Sequence, residues 1–195
     1  MSIQSIGIIG AGTMGNGIAQ TCAISGLTVV MVDIAQAALD KGLATIDKSL
    51  ERLLSKDKIS AADKQAAWGR ITTSTRYEAF ANCDLVIEAA TENHALKIKI
   101  LQQVESVLPD AVILASNTSS ISITQLAAVT QRPDRFIGMH FFNPVPMMAL
   151  VEIIRGLQTS DATHATVHDL AKRLGKTPSR SRTRRASWST ASSCP

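Results

Sequence analysis

Aromatic residues are scarce in this chain, at 4% of its 195 residues. A core has to be filled by aliphatic side chains, and a hydrophobic share of 45% is ample for that. Long apolar runs are absent: none approaches the roughly 20 residues that span a bilayer, which excludes a membrane-spanning helix. The opening MSIQSIGIIGAG has no basic segment ahead of an apolar one, so no signal or transit peptide is predicted. Cysteine is equally sparse. Cys22, Cys83 and Cys194 are odd in number, far apart, and without metal-ligand spacing. That excludes a disulfide framework and a zinc module, and it predicts free thiols, no metal site and a cytoplasmic location.

Acidic residues are missing from one place only. Residues 179–195, SRSRTRRASWSTASSCP, hold Arg180, Arg182, Arg184 and Arg185 and no carboxylate. Without those four arginines the rest of the chain carries 16 basic and 16 acidic residues. The net charge of +4 therefore belongs to the tail, and the body offers no basic patch for nucleic acid.

What is present is an alternation of short apolar runs and amphipathic stretches. Residues 5–9 read as a buried strand, a glycine turn feeds a helix that stops at Gly26, and residues 27–32 read as a second strand. Strand, helix and strand within about 30 residues form a βαβ unit with a right-handed crossover. Residues 35–67 are helical, with Leu39, Leu43, Ile46, Leu50, Leu53 and Leu54 on one face and a polar break before a second short helix. Strands follow at 71–73, 84–88, 111–115, 136–140 and 149–154, with helices over 93–108 and 161–175. No internal repeat is present. The pattern predicts a Rossmann-like, doubly wound α/β fold with a mostly parallel sheet.

Gly10-Ala11-Gly12-Thr13-Met14-Gly15 matches GxGxxG, follows a strand and opens a helix. Gly10 permits the tight turn, Gly12 lets backbone approach a pyrophosphate, and Gly15 permits close helix–strand packing. The helix start supplies free N–H groups and a partial positive charge. Asp33 ends the second strand, where a carboxylate accepts hydrogen bonds from a ribose 2′-OH and repels a 2′-phosphate. No arginine follows in DIAQAALDK. The cofactor read from this set is NAD(H) rather than NADP(H).

A second group of polar residues follows later strands. Glu88 and Glu92 lie in EAATEN, and Glu92 reads equally as a helix-start acid or a functional group. Lys97, one turn on, reads as a solvated helix face. Residues 116–120, SNTSS, are either caps and turn residues or donors to a ligand; Asn117 is assigned to the cofactor side. His140 stands in GMHFFNPVPMM, and a lone histidine on an apolar strand is more often structural than catalytic. Glu152 interrupts LVEII twelve residues later. A return through Asn143-Pro144-Val145-Pro146 would bring that carboxylate beside His140, giving a buried acid a partner and the imidazole a fixed tautomer.

Taken together, GAGTMGNGIA, VIEAATEN, ASNTSS and HFFNPVPMMALVEII resemble the NAD-binding domain of L-3-hydroxyacyl-CoA dehydrogenases, and the likeness runs over residues 3–178. HFFNPVP is its most specific piece. The resemblance implies oxidation of a 3-hydroxyacyl-CoA by hydride transfer to NAD+, with His140 as base, Glu152 as its acidic partner, Ser119 bonded to the substrate oxygen and Asn143 in the same pocket. It implies cofactor contact for Glu92 and Lys97, and coenzyme A contact for Ser49 and Lys56. It also implies a homodimer built on a C-terminal helical domain. A dehydrogenase of sugar acids such as L-gulonate shares the glycine loop and is the alternative, as is an NAD(H)-binding domain without turnover.

The tail departs from that pattern. After GKTP the family continues with a strand, a Pro-Gly-Phe turn and an Asn-Arg that opens the helical domain. Residues 179–195 have no apolar periodicity and read as disordered, which sets the domain at 1–178. A shifted reading frame reconciles the two. One G restored before a back-translation of 179–190 and the first two bases of codon 191 gives Val-Glu-Val-Lys-Asp-Ala-Pro-Gly-Phe-Val-Val-Asn-Arg. The family's pocket asparagine then falls at Thr190. A chain so altered is expected to bind NADH and to turn over poorly. The rival reading of the tail is an arginine-rich arm for RNA.

Overall fold

The computed structural model describes residues 2–182. The expectations for Thr190, Cys194 and the rest of 183–195 lie outside the described residues. Among the described residues eight strands form one sheet: β1 (Ser5–Ile9), β2 (Thr28–Val32), β3 (Ile71–Ser74), β4 (Leu85–Glu88), β5 (Ile113–Ser116), β6 (Phe136–Phe141), β7 (Leu150–Arg155) and β8 (Thr177–Arg182). Their order across the sheet is β3-β2-β1-β4-β5-β6-β7-β8. The first six are parallel, β7 runs antiparallel to β6, and β8 runs parallel to β7. This is the doubly wound arrangement expected from the alternation, with the chain reversing direction beside β1.

Among the described residues six α-helices cover the sheet: α1 (Thr13–Ile24), α2 (Gln36–Leu54), α3 (Ala61–Gly69), α4 (His94–Glu105), α5 (Ile123–Ala127) and α6 (Asp161–Arg173). Two apolar layers result. On one face Ile6, Ile8, Val29 and Met31 pack with Ile18 of α1, Leu39, Ile46 and Leu50 of α2, and Val167 and Leu170 of α6. On the other, Val86, Leu114 and Phe136 pack with Leu101 and Val104 of α4 and Leu126 of α5. The polar break after α2 ends in a capping box. The Ser60 hydroxyl accepts from the Asp63 amide, and the Asp63 carboxylate accepts from the Ser60 amide, which starts α3.

The structure corrects the domain limit. β8 pairs with β7 from Leu150↔Thr177 to Arg155↔Arg182, so residues 179–182 form strand rather than the predicted disordered tail. The physical reason is the free edge of β7. Its backbone N–H and C=O groups accept any extended partner, whatever that partner's side chains. Among the described residues, no helix is long and apolar enough to cross a membrane.

Candidate active site

Because β1 to β6 are parallel, their C-terminal ends meet on one edge of the sheet, and the polar segments of the sequence meet there too. Register fixes the heights. Ile9 is level with Val32 and Glu88, Glu88 with Ser116, and Ser116 with Gly138. β6 runs on past Gly138, so His140 stands two residues above the end of β5, at the rim.

The glycine loop has the form the motif requires. Gly10 has φ +97°, a left-handed conformation that a side chain would strain. A Cβ on Gly15 would lie 1.8 Å from the Gly10 carbonyl oxygen, so α1 packs against the turn as only glycine allows. A Cβ on Gly12 would meet nothing within 4 Å. That open space faces the start of α1, whose first turn has no capping side chain and no acid. These are the conditions for an anion seated on helix-start amides, and they fit a pyrophosphate. Thr13 is exposed and Met14 half-buried in that first turn. The Asp33 carboxylate is half-buried at the end of β2, and its Oδ2 accepts from the Ala11 amide at 2.9 Å. It thus braces the loop from the side where a ribose would lie.

The acid that ends β4 and the one that follows it have separate positions. Glu88 is fully buried and forms an ion pair with the Lys97 ammonium. The Ser116 hydroxyl donates to the same carboxylate at 3.0 Å, and the Ala90 amide donates to its other oxygen at 2.9 Å. Lys97 is 0% exposed, so the reading of a solvated helix face is corrected. It shares the stripe of α4 that buries Ile100, Leu101 and Val104, and the ion pair with Glu88 offsets part of the cost of burying its charge. Glu92 is exposed and does not cap α4, a role taken by Asn93. Its carboxylate accepts from the Thr118 hydroxyl at 2.7 Å and the Ser119 amide at 3.1 Å, which holds the SNTSS segment in place. Asn117 is buried and accepts from the Phe141 amide at 2.8 Å, tying that segment to the strand that carries His140.

His140 and Glu152 are direct cross-strand partners in the β6–β7 pairing. His140 Nδ1 lies 2.8 Å from Glu152 Oε2. A carboxylate can only accept, so Nδ1 carries a proton, and in the neutral imidazole Nε2 keeps the lone pair. The Glu152 side chain is 36% exposed rather than buried as expected, because the pair sits at the rim of the sheet. Ser119 and Asn143 are exposed near the same edge. The peptide between Asn143 and Pro144 is cis.

A cleft of about 320 Å³ opens between α1, α2 and the turn after β6. Thr13, Asn16 and Gln20 line it from α1, Ser49 from α2, and Asn143 and Pro144 from the turn. Lys48 and Arg52 also line it, and the sequence reading missed both. Their spacing from Thr45 and Ser49 on one helix face was the available signal. Lys56 is not among the lining residues, because α2 ends at Leu54 and the chain turns away through Asp57.

Residues 5–183 match the family model described as 3-hydroxyacyl-CoA dehydrogenase, NAD binding domain. The chain belongs to that family. It is 48% identical over 174 residues to the 3-hydroxybutyryl-CoA dehydrogenase of Bradyrhizobium diazoefficiens, covering 89% of this chain and 59% of that one. It is 52% identical to the probable 3-hydroxybutyryl-CoA dehydrogenase of Deinococcus radiodurans, covering 90% and 63%. Among solved structures, the (S)-3-hydroxybutyryl-CoA dehydrogenase of Ralstonia eutropha superposes with a TM-score of 0.93 at 63% identity, over 94% of this chain and 65% of that one. The chain thus spans about 60% of the length of the curated relatives it matches. Membership gives the fold and NAD as the cofactor of this domain.

Proposed function

We propose that this chain carries the cofactor and catalytic half of an NAD-dependent dehydrogenase acting on L-3-hydroxyacyl-CoA, such as 3-hydroxybutyryl-CoA. The observation that carries the reading is the His140–Glu152 pair at the sheet edge beside an NAD-binding loop. Bound NAD+ supplies the hydride acceptor. Asp33 holds the adenosine ribose, the Gly12–Gly15 turn holds the pyrophosphate, and Glu92, Asn117 and the buried Lys97 support the nicotinamide end. His140 Nε2 takes the proton of the 3-hydroxyl as C3 gives up its hydride, forming the 3-oxoacyl product. Glu152 fixes the ring and stabilises the imidazolium. Ser119 bonds the reacting oxygen, and Asn143 lies in the same pocket.

The cleft beside α2 takes the coenzyme A arm in this reading. Lys48 and Arg52 supply positive charge for its phosphates, Ser49 a hydroxyl, and Lys56 approaches from beyond the lining. Gln20 supports the assignment: its Nε2 is buried without a hydrogen-bond partner among the described residues, a donor suited to a carbonyl of the bound chain. The acyl side is open, with Met147 82% exposed, so the chain alone is expected to bind both ligands and turn over slowly. The reading includes a cytoplasmic setting and the homodimer of the family. NADH absorbance followed with acetoacetyl-CoA and, separately, with the keto form of L-gulonate tests it. The test uses this chain and the chain extended by the remaining part, about a third, of the Ralstonia relative. Oxidation with acetoacetyl-CoA by the extended chain is expected; oxidation with the sugar acid alone would replace the reading.

A further inference from the structure

Among the described residues, Lys176 is the one buried lysine that the site described above does not use. It follows Gly175, whose φ of +69° ends α6, and it leads into β8. It is 8% exposed. Its ammonium donates to the Val145 carbonyl at 2.6 Å and to the Met148 carbonyl at 2.8 Å. No carboxylate lies within ion-pair distance of it among the described residues. The titratable group that faces it is the Cys22 thiol of α1, which burial pushes up to about 12 and so keeps neutral at ordinary pH. Two carbonyl dipoles are thus what compensates a desolvated cation, and burial holds its proton less firmly than water would. A charge kept there without a counter-ion points to work done on the segment that supplies the carbonyls.

That segment is the turn between β6 and β7. The Met147 and Met148 amides both donate to the Pro144 carbonyl at 3.0 Å. Val145 is buried against α1, where a Cβ on Gly17 would come within 2.9 Å of Val145 Cβ. The Thr177 amide donates to the Ala149 carbonyl at 2.7 Å, so the residue after Lys176 starts the β7–β8 pairing. The turn is therefore gripped by α1 beneath, by its own amides, and by the α6–β8 junction at the side. Asn143 to Pro146 of this turn form one wall of the cleft beside α2.

We propose that Lys176 is a positioning residue that fastens the 143–148 turn and so sets the cleft wall against which the acyl-CoA arm binds. The second half of that statement rests on the function proposed above. Lys176 touches no reacting atom in this account; it acts through the Val145 and Met148 carbonyls. Its charge and its reach both matter, so arginine can substitute in part and an isosteric apolar chain cannot.

Three measurements on the 195-residue chain test this: hydrogen exchange across residues 143–149, acetoacetyl-CoA affinity and NADH affinity, each for wild type, Lys176→Met and Lys176→Arg. In Lys176→Met the Met147 and Met148 amides are expected to exchange about tenfold faster or more, the factor for a lost charged hydrogen bond. Acetoacetyl-CoA affinity should fall by a similar factor while NADH affinity stays within about twofold. Lys176→Arg should recover most of both losses. Unchanged exchange in a folded Lys176→Met would overturn the fastening. A loosened turn with wild-type acetoacetyl-CoA affinity would overturn its role in the cleft. Should Lys176→Met not fold, Lys176→Gln, which keeps a donor without the charge, should show the same pattern at smaller amplitude, and a wild-type pattern there counts against the proposal. A wild type that binds NADH but no acetoacetyl-CoA would defeat the function reading and the cleft role together, while the exchange data would still decide what holds the turn.

Discussion

Two alanine substitutions three residues apart in the glycine loop should have opposite effects, and the structure says why. At Gly12 the backbone is extended, with φ −65° and ψ −171°, so alanine fits without strain. Its Cβ would meet nothing within 4 Å. Folding stability should change by no more than about 1 kcal/mol, the scale of exchanging glycine for alanine at a helix N-cap. The methyl would instead fill space assigned to the pyrophosphate. Overpacking by one methyl costs about 1–3 kcal/mol, so NADH affinity should fall roughly 5- to 150-fold. At Gly15 the Cβ would sit 1.8 Å from the Gly10 carbonyl oxygen and 2.8 Å from its carbon. Both are backbone atoms and cannot rotate aside. The helix must move by about 1 Å or more, at the upper end of the 1–3 kcal/mol overpacking range. Alanine's better helix propensity returns about 1 kcal/mol, leaving a net loss of about 2 kcal/mol. For a chain of this size that lowers Tm by roughly 4–8 °C. Thermal melts and fluorescence titration with NADH separate the two. Gly12→Ala with wild-type NADH affinity would refute the placement of the cofactor over that open space.

Other perturbations follow from the same geometry. Asp33→Ser should narrow the preference for NADH over NADPH by about 1–3 kcal/mol, read by calorimetry, since it removes a charged acceptor at the 2′ position; equal affinities in the wild type would rule out that role. Lys97→Met should lower stability by about 3–5 kcal/mol by leaving the Glu88 carboxylate buried and unpaired, and adding Glu88→Gln should restore much of it in denaturant melts. The chain should lose stability in alkali. Burial pushes the Cys22 thiol up to about 12, so the native state keeps a proton that the unfolded chain gives up from about pH 9. That stability is fully present below pH 9 and is lost as the pH rises toward 12, at up to about 1.4 kcal/mol per pH unit. Cys22→Ala should flatten the curve, and because every other titrating group is common to both proteins, equal slopes would contradict the assignment.

Most of the sheet was legible because β1, β2, β4, β5, β6 and β7 are short, mainly apolar runs between polar or turn residues, and the helices have their own period. The His140–Glu152 pair was legible because Asn143, Pro144 and Pro146 mark a return between two strands, and the register then puts positions 140 and 152 opposite each other. Lys97 was misread because lysine is usually solvated, although its phase on α4 matches Ile100, Leu101 and Val104. Glu152 was expected to be buried because its neighbours are apolar, but height above the sheet is a tertiary property that one strand does not reveal. Residues 179–182 were read as disordered from composition, whereas edge pairing depends on backbone alone. The roles of Glu92 and Asn117, which hold Ser119 and Phe141, join segments too distant in sequence for any local pattern to report.

The central claim is that His140 Nε2 is the base. Single-turnover reduction of acetoacetyl-CoA by bound NADH, in the chain extended by the C-terminal part of the Ralstonia relative, tests it most directly. The wild type should be compared with His140→Ala and Glu152→Gln. The account predicts a loss of roughly 10²–10⁴-fold in the chemical step for His140→Ala, a smaller loss for Glu152→Gln, and near-normal NADH affinity in both. A His140→Ala protein that transfers hydride at close to the wild-type rate would contradict it.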